Sequence, residues 1–145
     1  MILHTASETI SLSRKLENDA GVFYEELARR YAAGAEGFLA FAGENRKNVA
    51  QVERAYYGVI TDALEGCFAF NLDADKYTLV TEIGAGAGYA EALSQAIELE
   101  KKIQAFYTDA AAQSKSLMAD VPRAFTLIAR KREKRLAQLE ALLKG

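Results

Sequence analysis

The stretch ENDAGVFYEELA at residues 17–28 returns as EKKIQAFYTDAA at residues 100–111. Both copies begin with a glutamate and carry Phe-Tyr at the same place, with a constant offset of 83 residues. Apolar residues recur in both at intervals of three and four, which is the pattern of a helix with one buried face. The chain therefore contains two closely similar amphipathic helices.

The segments that follow these two helices also match each other. Residues 38–53 read FLAFAGENRKNVAQVE and residues 125–140 read FTLIARKREKRLAQLE, at a constant offset of 87 residues. Both begin with Phe, end with Glu and keep helical spacing of their apolar positions. Each half of the chain is thus predicted to be one helical hairpin, and the two hairpins are alike.

This organisation predicts an all-α protein, an antiparallel four-helix bundle that forms a single domain over residues 1–145. Residues 6–65 form the first hairpin, residues 66–88 a long crossover and residues 89–143 the second hairpin. We predict four helices over about Ala6–Tyr31, Phe38–Leu64, Tyr89–Leu117 and Val121–Leu143.

Local signals set the helix ends. Thr5 with Glu8 has the spacing of a capping box, and Ala32–Gly37 is predicted as the turn between the first two helices. Gly66 is expected to end the second helix. The fourth helix has Asp120 as its predicted cap, and Pro122 follows in its first turn. The crossover, which includes the glycine-rich IGAGAG, is predicted to be a flexible connector.

Composition limits the classes of function. Half of the 145 residues are hydrophobic and the formal net charge is −2, which argues against binding nucleic acid through bulk charge. No apolar run approaches the length of a membrane span, and no signal peptide is recognisable, so we expect a cytoplasmic protein without membrane contact. The single cysteine, Cys67, permits no intramolecular disulfide and is interpreted as a small buried residue.

The paired hairpins resemble the rubrerythrin-type, ferritin-like di-iron proteins. In that family the first helix of a hairpin reads roughly E-x-x-A-x-x-F-Y-x-x-L-A, and the second reads F-x-x-L-A-x-x-E-x-x-H. The resemblance covers nearly all of the chain outside the crossover. It implies a ferritin-like fold, a homodimer and a metal site at the equivalents of the Glu and Glu-x-x-His positions.

The chain departs from the family at those metal positions. Only Glu17 and Glu100 match ligands of the family; the two Glu-x-x-His motifs are replaced by residues that bind metal poorly or not at all. The six vestigial di-iron positions are Glu17, Asn45, Asn48, Glu100, Arg132 and Arg135. The further glutamate that rubrerythrins carry in the third helix is Ile103 here, and we expect no counterpart of the family's tail with paired cysteines.

Helical-wheel positions place these polar residues toward the core. Arg132 falls in the middle of the apolar stripe of the fourth helix and Arg135 at its edge, whereas Arg130, Lys131 and Lys134 fall outside it. Asn45 occupies the centre of the second helix's stripe. Glu17 falls nearer the rim of the first helix's stripe.

An unpaired buried charge is costly, so these residues need partners. We predict that Arg132 and Arg135 occupy the space of the metals and bind Glu100 and Glu17, because a guanidinium suits a carboxylate. Asn45 and Asn48 are expected to supply further hydrogen bonds. The alternative is a splayed bundle in which Asn45 and Arg132 face water.

Tyrosines at helical spacing add to this core. Tyr24, Tyr56, Tyr57 and Tyr107 are predicted to be core residues whose hydroxyl groups bind carboxylates, rather than a radical or cofactor site.

The first functional hypothesis is a non-enzymatic binding or scaffolding protein that has lost its di-iron centre and has no catalytic residues and no cofactor. The alternative is a metal-binding oxidoreductase or iron-handling protein with an altered site, in which Glu17 and Glu100 hold iron or another divalent metal. A small-molecule or lipid binder remains a third possibility, and the protein or small-molecule partner is unknown. Glu17 and Glu100 as an acid–base pair, and nucleic acid as the partner of the basic run, are less favoured readings.

Overall fold

The computed structural model describes residues 1–59, 70–114 and 120–145, and this part of the chain is mostly helical. It contains four long helices, α1 to α4, a two-stranded antiparallel sheet of β1 and β2, and one 3₁₀ turn. The helices span Ala6–Arg30 (α1), Ala35–Val59 (α2), Tyr89–Gln113 (α3) and Asp120–Lys144 (α4). The strands are Ile2–Leu3 (β1) and Leu72–Asp73 (β2), and the 3₁₀ turn is Ala74–Tyr77. The all-α class is therefore confirmed.

The predicted start of α1 is confirmed. The Thr5 side chain accepts a hydrogen bond from the Glu8 backbone N–H at 3.1 Å, and the Glu8 carboxylate accepts one from the Thr5 N–H at 3.1 Å. These reciprocal bonds satisfy two donors that the first turn of a helix leaves free. The backbone N–H groups of His4 and Thr5 lower the pKa of Glu8, which keeps this cap anionic near the positive end of the helix dipole.

The helices pack mainly as α1 with α2 and α3 with α4, and α2 also lies along α4. The Tyr31 hydroxyl at the end of α1 donates to the Ala87 carbonyl just before α3, at 2.7 Å. Ser13, near the start of α1, instead contacts Tyr107 near the end of α3. The two helices are therefore antiparallel.

The described part of the crossover, residues 70–88, is hydrogen-bonded to the rest of the chain near both of its ends. The Phe70 N–H donates to the His4 carbonyl at 3.2 Å, next to the pairing of β1 with β2. At the other end, Arg30 donates to the carbonyls of Ile83 and Gly84. The crossover thus runs the length of α1, because its two ends are bound to opposite ends of that helix.

Two predicted boundaries are wrong. The second helix begins at Ala35, inside the predicted turn at Ala32–Gly37, because Gly34 alone takes the positive φ of 89° that reverses the chain. Asp120 belongs to α4 instead of preceding it, whereas Pro122 lies in the first turn as predicted. The predicted ends at Leu64 and Leu117, together with Gly66 and Cys67, fall outside the described residues.

The buried apolar side chains form one continuous cluster between the four helices, extended by residues of the crossover such as Leu72 and Tyr77. Within residues 1–59, 70–114 and 120–145, no helix is long and apolar enough to cross a membrane.

Candidate functional site

The six polar positions singled out in the sequence lie in the middle of this core. Each of them is at most 1 % exposed, so the alternative in which Asn45 and Arg132 face water is wrong. Glu17, expected near the rim, is 0 % exposed. The helices supply Glu17 from α1, Asn45 and Asn48 from α2, Glu100 from α3, and Arg132 and Arg135 from α4.

Arg132 lies between the two glutamates. Its Nη1 donates to Glu100 Oε1 at 2.7 Å, and its Nη2 forms a short hydrogen bond to Glu17 Oε2. All three side chains are fully buried. One guanidinium therefore connects α4 to both α1 and α3, and this part of the predicted ion pairing is confirmed.

Arg135 binds partners within the predicted cluster and one carboxylate outside it. Its Nη1 donates to Glu100 Oε1 at 3.1 Å and to Asn45 Oδ1 at 2.7 Å, and its carboxylate partner toward solvent is Glu44 at 2.5 Å. The guanidinium also stacks against the Phe41 ring, with 4.6 Å between the guanidinium carbon and the ring centroid. The prediction that the two arginines bind the two glutamates is therefore confirmed, and Glu44 is an additional partner of Arg135.

Two tyrosines bind the glutamates reciprocally. The Tyr24 hydroxyl on α1 donates to Glu100 Oε1 at 2.6 Å, and the Tyr107 hydroxyl on α3 donates to Glu17 Oε1 at 2.9 Å. Each repeat thus places its tyrosine on the glutamate of the other repeat. Ser13 extends one side, with its hydroxyl 2.8 Å from that of Tyr107. The predicted tyrosine–carboxylate bonds are confirmed for this pair.

The other two tyrosines that were predicted to lie in the core are Tyr56 and Tyr57. Tyr56 is buried in the core, and the side chain of Tyr57 is outside the described part of the chain.

The asparagines fill the α2 side of the cluster. Asn48 Nδ2 donates to Glu17 over long distances of 3.4 and 3.5 Å, and Asn45 accepts from Arg135. Five buried side-chain atoms in the described residues have no hydrogen-bond partner, and all belong to this cluster: Asn45 Nδ2, Asn48 Oδ1, Glu100 Oε2, Arg132 Nε and Arg135 Nε. Three of them are N–H donors and two are oxygen acceptors.

The electrostatics of the cluster keep its two tyrosines neutral and Arg132 positively charged. Burial raises the pKa of Tyr24 and that of Tyr107 well above the ordinary value, and the negative charges of Glu100 and Glu17 raise them further. Burial acts to lower the pKa of Arg132, but the charges of Glu100 and Glu17 outweigh it and the pKa lies above the usual value. The tyrosines therefore remain neutral donors and the arginine remains a cation.

The residues of this cluster do not fit a di-iron centre or another metal site. Arginine only donates hydrogen bonds and stays charged, so at two of the expected ligand positions it repels a cation. Most of the unpartnered atoms are donors, which likewise cannot bind a metal. In the described part of the chain, no group of three or more His, Cys, Asp or Glu side chains is arranged to hold a metal ion.

Several contributors were not found from the sequence. Glu44 directly precedes Asn45 and was not among the predicted core positions; its side chain is 38 % exposed, so it lies at the edge of the cluster. Phe41 was not among the predicted site residues, and its contact with the Arg135 guanidinium depends on a partner on another helix. Ser13 gives no local signal, because its role depends on a partner 94 residues away.

Comparisons with family models, with curated proteins and with solved structures found no match to this chain.

Proposed function

We propose that the chain is a non-enzymatic, ferritin-like four-helix bundle in which an ion-pair network replaces the di-iron centre, and that it acts as a binding or scaffolding protein. The single observation that carries this proposal is the position of Arg132 between Glu17 and Glu100, the two glutamates that match metal ligands in the rubrerythrin-type pattern. The homodimer expected from the same resemblance is part of the proposal.

The arrangement of the helices supports the fold part of the proposal. Two hairpins with a long crossover, built in tandem and packed so that α1 opposes α3, agree with the ferritin-like connection. The reciprocal bonds of Tyr24 and Tyr107 add an internal two-fold relationship between the halves. The function part rests on the site, because the same fold supports many activities.

The chemistry of the cluster argues against catalysis. A general base must contact its substrate, and both glutamates here lie inside the core, hydrogen-bonded to a guanidinium and to a tyrosine hydroxyl. All of them are fully buried, so substrate has no access to them.

Metal content tests the proposal. The parent would be produced in medium supplemented with iron, manganese and zinc and analysed for bound metal, next to a variant that restores the Glu-x-x-His motifs. That variant carries four changes: Asn45→Glu, Asn48→His, Arg132→Glu and Arg135→His. With Glu17 and Glu100 it has the full ligand set of the di-iron carboxylate bundles.

The expected result is a parent with almost no metal and a restored variant that retains it. Metal in the parent at one or two ions per chain, lost in Glu17→Gln and Glu100→Gln variants, would contradict the proposal. The protein would then be the metal-binding oxidoreductase or iron-handling protein of the alternative hypothesis.

A further inference from the structure

The positive charges of this protein are distributed unevenly between paired and unpaired sites. All the cations of α1, together with Arg46 of α2, Lys76 of the crossover and Lys101 of α3, lie next to carboxylates. These ion pairs are Arg14–Glu53, Lys15–Asp19, Arg29–Glu26, Arg30–Glu26, Arg46–Glu25, Lys76–Asp109 and Lys101–Glu98.

Eight cations of the described residues form no ion pair, and five of them lie on the joint outer surface of α2 and α4; the other three are Lys102, Arg130, which lines a groove with residues of α3, and Lys144. We call this surface the basic face; it consists of Lys47, Arg54, Arg123, Lys131 and Lys134. Four of these side chains are exposed and Lys131 is half-buried. None of the five forms an ion pair with a carboxylate in residues 1–59, 70–114 and 120–145.

Contacts between the two helices hold these residues on one side. Lys131 Nζ on α4 donates to Gln51 Oε1 on α2 at 3.3 Å, a neutral partner that leaves the charge uncompensated. Arg54 and Arg123 line one groove. Lys47 lies one turn before Gln51 and Lys134 one turn after Lys131, so helical spacing puts both on the same side.

The groove between the helices has an apolar floor. It encloses about 240 Å³, and Ala55, Ala124 and Leu127 line it. Leu127 is 39 % exposed although large apolar side chains are usually buried. Arg123, Leu127 and Lys131 follow each other at intervals of four residues, so their side chains form a row with a spacing of about 6 Å.

We propose that the basic face binds an acidic amphipathic helix of a partner protein. A helix bound along the groove would place carboxylates at four-residue spacing against the cations of α2 on one side and those of α4 on the other. One of its apolar side chains would contact Leu127. The inference specifies the partner of the binding role proposed above and rests on that role, but it does not depend on whether the core holds metal.

The charge distribution favours a short acidic helix over a nucleic acid. The row from Arg123 to Lys134 is only about 17 Å long. The whole chain has a formal charge of −2, so the part outside the five cations of the basic face carries −7. An extended polyanion would run beyond the face onto this negative remainder, and repulsion there would oppose binding.

A second copy of the chain does not fit this face through two-fold symmetry. A symmetric dimer places the same surface on both sides of the interface, so the cations of one copy would meet those of the other. Like charges brought together in this way are unfavourable.

Binding of defined probes tests the proposal. A labelled helical peptide of about 15 residues, about 22 Å long, would carry glutamates at four-residue spacing around one central leucine, and its counterpart would carry lysines instead. Fluorescence anisotropy would be measured with the full chain at low and at moderate ionic strength. The acidic peptide should bind, the lysine peptide should not, and salt should weaken binding.

Two variants with the same net charge make the test specific. Arg54→Glu with Lys131→Glu reverses the centre of the basic face, and Lys101→Glu with Lys144→Glu reverses two exposed cations elsewhere. The first should weaken binding of the acidic peptide by roughly tenfold or more, and the second by less than about twofold. Circular dichroism would verify that both retain the parental helix content.

Three results would overturn the proposal. One is equal binding of the acidic and lysine peptides, or equal loss in the two variants. Another is tighter binding of a single-stranded oligonucleotide, or of vesicles containing anionic lipid, than of the acidic peptide. The third is self-association, measured by sedimentation, that disappears when the basic face is reversed. Each of these leaves the metal measurement unaffected, so failure of this inference and failure of the proposed function are distinguishable.

Discussion

Replacing Arg132 by leucine should destabilise the protein chiefly through Glu17. Glu100 would keep Arg135 at 3.1 Å and the Tyr24 hydroxyl at 2.6 Å. Glu17, which is 0 % exposed, would keep only the Tyr107 hydroxyl and the long contacts to Asn48. Leaving one buried charge without its counter-ion costs about 3–5 kcal/mol. We therefore expect the free energy of unfolding in urea at pH 7 to fall by that amount.

A double variant separates the ion pair from simple loss of packing. If Glu17 also becomes leucine, no uncompensated carboxylate remains, and buried ion pairs can be replaced by apolar residues at little net cost. Glu17→Leu with Arg132→Leu should therefore be more stable than Arg132→Leu alone, by about 2 kcal/mol or more. Tyr107 would retain Ser13 as a hydrogen-bond partner at 2.8 Å.

Arg130 provides the matched control for this experiment. It lies on the same helix, two residues away and exposed, so Arg130→Leu should change the unfolding free energy by no more than about 0.5 kcal/mol. The reasoning is refuted if Arg132→Leu costs less than about 1 kcal/mol, or if the double variant is no more stable than the single one. Unchanged dependence of the free energy on urea concentration would show that the variants unfold to similar states.

The structure carries two further stability predictions. Folding raises the pKa of Tyr24 and of Tyr107 above the ordinary value of 10.0, so above about pH 10 the folded state keeps protons that the unfolded state loses. The free energy of unfolding should therefore fall above about pH 10, by up to about 1.4 kcal/mol per pH unit for each of the two tyrosines. An ultraviolet titration in which all seven tyrosines ionise near pH 10 while the chain stays folded would contradict this. Gly34 has φ 89° and an added Cβ would lie 2.7 Å from the Tyr89 hydroxyl, so Gly34→Ala should lower stability by about 1–2 kcal/mol. Gly37 lies in α2 with open space around it, so Gly37→Ala should raise stability by about 0.5–1 kcal/mol, and thermal unfolding that moves both variants in the same direction would refute the comparison.

The helices and their buried faces could be predicted because the information is local and is present twice. Helical periodicity identifies an inward face without knowledge of any neighbour. The spacing of apolar residues by three and four positions along the fourth helix was sufficient to predict that Arg132 lies in the core. The repeat also showed that Glu17 and Glu100 occupy equivalent positions in the two halves, so both could be predicted to belong to one cluster.

Features that depend on distant parts of the chain could not be predicted in this way. The pairing of Ile2–Leu3 with Leu72–Asp73 joins segments about 70 residues apart, and neither segment is long enough to show alternation. The choice of partner by Arg135 depends on how far α2 and α4 are displaced along their axes. A wheel gives the direction of a side chain but not its height along the helix axis, so it could not show that Glu44 lies within reach of Arg135.

The residues at the four former Glu-x-x-His positions balance the charge of the core. Two buried glutamates require two positive charges, and α4 supplies both through Arg132 and Arg135 while α2 supplies neutral Asn45 and Asn48. Four arginines at these positions would leave two buried positive charges in excess, and four asparagines would leave two negative ones. The cluster is therefore close to neutral because its two arginines match its two glutamates in number. The glutamates and tyrosines are the same in both repeats. The arginines, which occur at these positions only in α4, neutralise the charge of the glutamates.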